Sequence, residues 1–108
     1  MNDNRRQHVR VTGPFDGKRV GLIDTAVQIY DLSEGGCFVN SMQEQVEGRE
    51  VELEINLPTE GTIAVVAQTL YSRAGFGFAA RFIRMDNDAR VRLVHELDRL
   101  RKRASEPR

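Results

Sequence analysis

Residues 50–57 read EVELEINL, and every second one is apolar. Val51, Leu53, Ile55 and Leu57 alternate with Glu50, Glu52, Glu54 and Asn56. A period of two fits a β-strand with one face buried and one face in water, and it fits no helix. Such a strand needs neighbours on both edges and cover for its apolar side. The rest of the chain supplies candidates. Val20 and Leu22 alternate with Arg19 and Gly21, and Val27 and Ile29 alternate with Gln28 and Tyr30, with Asp24-Thr25 as a turn between them. The run DLSEGG, residues 31–36, breaks the pattern with two adjacent glycines. Cys37–Val39 is a short apolar strand, and residues 41–48 are a polar connection. Pro58–Gly61 is a turn, residues 62–71 and 75–83 are two further strands, and Arg73-Ala74 is a tight hairpin between them.

The period changes after Asp86. Leu93, Leu97 and Leu100 fall at i, i+4 and i+7, which is one face of a helix. Asp86 or Asn87 suits its N-cap, and Asp88 suits the positive end of its dipole. Basic residues crowd the last turn, and Asp88/Arg92 and Asp98/Lys102 are spaced as i,i+4 pairs. Short strands followed by one helix predict a mainly β domain, an antiparallel barrel or sandwich with the helix packed on it. A length of 108 residues fits a single domain. Residues 1–14 stand outside the strand pattern and read as a flexible arm, with residues 15–104 as the folded unit.

The formal net charge is zero, which excludes holding nucleic acid by bulk electrostatics. The charge is nonetheless segregated. Residues 1–10 sum to +2, residues 11–80 to −6 and residues 81–108 to +4. An acidic body and an aromatic content of 6% speak against a nucleic-acid partner. No apolar run approaches the length of a membrane helix, and the first ten residues carry no secretory signal, so a cytoplasmic location is expected. His8 and His95 are isolated, Cys37 is the single cysteine, and no metal or P-loop motif is present. Catalysis therefore has no support, and neither a metal nor a cofactor is expected.

Two clusters remain. Arg5, Arg6 and Arg10 gather on the arm. They are either a solvated basic terminus or a clamp for phosphates and guanine edges. Asp31, Ser33, Gly35 and Gly36 share the 31–36 run, which is either an ordinary polar turn or a nucleobase site. The Asp31 carboxylate can accept from the N–H groups of guanine, and Ser33 can donate or accept beside it. On an extended backbone the two side chains would point the same way. The glycines would let the backbone turn and a flat ligand approach closely.

Arg6-x-x-x-Arg10 followed by Asp31-x-Ser33-x-x-Gly36 resembles the signature of the PilZ domain family. Beyond these motifs, the runs DLSEGGCFV, VEGREVELEINLP and AQTLYSRAGFGFAARFIRMDNDAR are similar to the family's central strands, closing hairpin and helix start. The likeness covers roughly residues 5–102. It implies a six-stranded antiparallel barrel with a C-terminal helix. It also implies a non-catalytic receptor for cyclic di-GMP. Carried over by position, Arg6 and Arg10 bind phosphates and guanine edges, and Arg5 adds a further cation. Asp31 and Ser33 hydrogen-bond a guanine, and Gly35 and Gly36 shape the turn. Tyr71 stacks on a purine or is an ordinary strand aromatic. The expected function is a stand-alone adaptor that relays ligand level to a partner protein as the arginine arm orders. The alternative is a protein-interaction module, motility- or pilus-related, with weak or no nucleotide binding.

Overall fold

A computed structural model describes residues 10–43 and 45–104. Six strands precede one helix: β1 (Phe15–Val20), β2 (Thr25–Tyr30), β3 (Gly36–Asn40), β4 (Glu50–Leu57), β5 (Gly61–Arg73), β6 (Gly77–Arg84) and α1 (Asn87–Ala104). The strands close into a barrel in the order β1-β2-β3-β6-β5-β4, every pair antiparallel. Closure leaves the sheet without a long free edge. This is the mainly β, six-stranded barrel with a C-terminal helix that the resemblance implies, and it decides between the barrel and the sandwich that the strand pattern alone left open.

The alternation in β4 works as its sequence dictates. Val51, Leu53, Ile55 and Leu57 point into the barrel and are all buried. They meet Phe15, Val27, Ile29, Val39, Ile63, Val65, Ala67 and Phe78 from the other strands in one core. Boundaries shift slightly from the sequence reading. β1 begins at Phe15 rather than Gly17, and the first turn covers residues 21–24, where the Gly21 N–H donates to the Asp24 carboxylate at 3.2 Å. β5 runs on to Arg73, which moves the hairpin turn to residues 74–76.

Antiparallel pairing all round sorts the connections by end. The β1–β2, β3–β4 and β5–β6 links lie at one end of the barrel. The 31–35 loop, the β4–β5 turn, the start of β1 and the passage into α1 lie at the other. The helix is capped by Asp86, whose carboxylate accepts the Ala89 N–H at 2.8 Å. Ala89, Leu93 and Leu97 bury its apolar stripe. A fourth buried residue on that stripe is charged. Glu96 is fully buried, and one of its oxygens accepts the N–H groups of Thr59 and Glu60, both at 2.8 Å. Its other oxygen takes Arg99, while Arg92 donates to the carbonyls of Glu60 and Thr62. The helix is thus clamped to the β4–β5 turn. Among the described residues no helix is long and apolar enough to cross a membrane.

Candidate functional site

The 31–36 run forms a tight hairpin into β3. Leu32 is fully buried and anchors it to the core. The Ser33 N–H donates to the Gly36 carbonyl at 2.9 Å, closing the hairpin over Glu34 and Gly35. The Ser33 hydroxyl accepts the Gly35 N–H at 3.2 Å and reaches the Gly36 carbonyl at 3.3 Å. The Phe82 N–H donates to the Gly35 carbonyl at 2.8 Å, so the tip is tied to β6 as well.

Asp31 and Ser33 do not share an environment, contrary to the extended-backbone expectation. Asp31 has φ of 52°, in the left-handed region, and strand alternation fails there. Its side chain is exposed, whereas Ser33 is buried and engaged within the loop. Aspartate tolerates this backbone better than most residues. Gly36 also differs from expectation. A Cβ on it would sit 2.2 Å from the Ala80 carbonyl oxygen. The close approach that demands glycine here is the β6 backbone itself.

The two halves of the motif meet. Val11 pairs with Leu32 as an antiparallel bridge, with both N–H···O bonds at 2.8 Å, and the Asp31 N–H donates to the Thr12 carbonyl at 3.1 Å. Val11 is partly buried against the core. This register sets Arg10, exposed, opposite Ser33. Residues 10–12 are therefore fixed to the hairpin. Arg5 and Arg6 lie outside the described residues. Tyr71 lies farther along the same outer wall, half-exposed on β5, in one cross-strand row with Ala79 and Phe38.

Two residues escaped the sequence reading. Arg81 on β6 lies directly across from Gly36, and its guanidinium donates to Gln68 on β5 at 2.6 Å. Only the pairing of β3 with β6, which are far apart in sequence, reveals it. Glu96 carried one signal, an arginine three positions on. Cys37 is buried in the barrel, and burial pushes its thiol up to about 12. A thiol so held stays protonated and is a poor nucleophile. Among the described residues no three His, Cys, Asp or Glu side chains gather as a metal site.

Comparison with known proteins agrees with this fold. The family model of the PilZ domain matches residues 4–99, and the chain belongs to the PilZ domain family. Solved structures share the fold at low identity. The inhibitor of motility MotI/DgrA of Bacillus subtilis aligns with TM-score 0.74 and 19% identity over 94% of this chain and 53% of its own. YcgR of Escherichia coli in complex with c-di-GMP aligns with TM-score 0.75 and 23% identity over 93% of this chain and 47% of its own. The isolated PilZ domain of YcgR with c-di-GMP aligns with TM-score 0.69 and 19% identity, covering 93% of this chain and 94% of that one. The chain thus spans about half of the first two proteins and nearly all of the third. Among curated proteins, an alpha-1,4-glucan:maltose-1-phosphate maltosyltransferase of Chlorobaculum tepidum is 34% identical over 67 residues. That stretch is 62% of this chain and 9% of the enzyme.

Proposed function

We propose that the chain is a non-catalytic receptor for cyclic di-GMP that passes the ligand's level to a partner protein in the cytoplasm. The observation that carries this reading is the Val11–Leu32 bridge, which sets Arg10 of the first motif against Ser33 of the second. Asp31, exposed at the hairpin, accepts from a guanine edge. Arg10 takes a phosphate, and Arg5 and Arg6 join it when the segment before Arg10 closes over the ligand. Ser33, Gly35 and Gly36 act by shaping the hairpin that presents Asp31. Tyr71 offers its exposed ring to a purine at the far side of the site. Family membership and the c-di-GMP held by YcgR support the choice of ligand. The signal leaves through the surface that the closed segment creates.

Thermal unfolding with added nucleotides tests the reading. A ligand in hundredfold excess over its Kd adds about 2.7 kcal/mol to stability and raises Tm. Cyclic di-GMP is expected to raise it, and cyclic di-AMP and GTP at equal concentration to leave it unchanged. No shift with cyclic di-GMP, or equal shifts with all three, would contradict a guanine-reading receptor.

A further inference from the structure

The hairpin of the proposed site contains two carboxylates, Asp31 and Glu34, and no cation. A dianionic ligand beside two carboxylates needs positive charge on both flanks of the hairpin. One flank has Arg10. The other has Arg81, exposed and directly across from Gly36. Arg10, Ser33, Gly36 and Arg81 follow one another across neighbouring backbone segments on the outer wall. At about 4.8 Å per strand, the two arginine Cα atoms stand roughly 14 Å apart, with the hairpin between them.

Arg81 differs from the other β6 cation. Arg84 is neutralised by Glu50 at 3.0 Å. Arg81 has no carboxylate partner among the described residues, and its neutral partner Gln68 donates in turn to the Gly48 carbonyl at 3.3 Å. A guanidinium aimed by an amide keeps its full charge for an anion. Gly36 puts no side chain between it and the hairpin.

Resting on the cyclic di-GMP reading, we infer that Arg81 is a ligand-binding residue that holds the phosphate side opposite Arg10, and that Gln68 is the residue that positions it. Isothermal titration calorimetry with cyclic di-GMP tests this on the wild type, Arg81→Gln, Arg81→Lys, Gln68→Leu, the Arg81→Gln/Gln68→Leu double variant and Arg84→Gln. Arg81→Gln is expected to weaken binding about tenfold, the scale of one charge-assisted hydrogen bond. Arg81→Lys keeps the charge without the fork and recovers part of the loss. Gln68→Leu weakens binding about threefold, and the double variant is no worse than Arg81→Gln alone, as expected when one residue acts through the other. Arg84→Gln stays within about twofold of the wild type. Circular dichroism confirms that each variant is folded. Binding by Arg81→Gln at wild-type strength, or an equal loss in Arg84→Gln, overturns the inference while leaving the receptor reading intact. Failure of the wild type to bind overturns both.

Discussion

Gly36 carries two demands at once. It is a signature position of the proposed site, and β6 runs close against it: an added methyl would lie 2.2 Å from the Ala80 oxygen. Gly36→Ala is therefore expected to destabilise the fold by about 2–3 kcal/mol, read from the urea midpoint, in the absence of any ligand. Ser33→Ala removes two hydrogen bonds from the hairpin and is expected to cost about 1 kcal/mol by the same measurement. If both variants match the wild type in urea, these residues do not hold the hairpin and the β3–β6 contact together. These residues could be singled out in the sequence, because a polar turn and the family signature both call for Asp, Ser and Gly at these positions. Their orientation was not. It depends on the left-handed backbone at Asp31, which strand alternation does not foresee. Arg81 was invisible for a different reason: its place beside the hairpin comes from pairing between β3 and β6.

The strands were legible as elements because burial on one face writes a period of two into the residues, most plainly in β4. Helix α1 was legible from its leucines and its Asp86 cap, and the Asp88/Arg92 pair forms at 3.0 Å as its spacing suggests. What holds the helix to the barrel was not. Glu96 sits among the apolar residues of the stripe, and its partners Thr59 and Glu60 belong to a distant turn. Burial alone would raise the Glu96 pKa. Bonds from Arg99 and from the Thr59 and Glu60 N–H groups outweigh it and hold the carboxyl below its ordinary range. The folded state therefore binds this proton less readily than the unfolded chain. The clamp contributes fully at pH above the usual glutamate value of about 4.3, and its contribution is lost as pH falls through the lower folded value. Stability of the wild type should drop across that acidic window, and Glu96→Gln should drop less steeply there. Identical slopes for the two proteins would remove Glu96 from the acid response. At neutral pH, Glu96→Ala leaves Arg99 and two turn N–H groups without their buried partner, at an expected cost of about 3 kcal/mol in urea unfolding.

At the scale of the molecule, the barrel sorts its loops into two ends. The hairpin, the pinned residues 10–12 and the helix clamp share one end. The other end carries the β1–β2, β3–β4 and β5–β6 connections, with Leu22, Ile23, Met42 and Phe76 exposed. A net charge of zero conceals a similar division, since the acidic body lies between a basic first segment and a basic last one. In the proposed reading, charge on a few arginines next to the Asp31 carboxylate is what would let a neutral protein select one small dianion. The central claim is that both motifs form a single cyclic di-GMP site on the outer wall beside the hairpin. Amide chemical-shift mapping during titration with cyclic di-GMP tests it most directly. The predicted perturbations lie in residues 5–12 and 31–36 and at Gln68, Tyr71 and Arg81, with residues 21–24 and 41–43 unmoved. Perturbations centred on the opposite end, or confined to only one of the two motifs, would contradict the account.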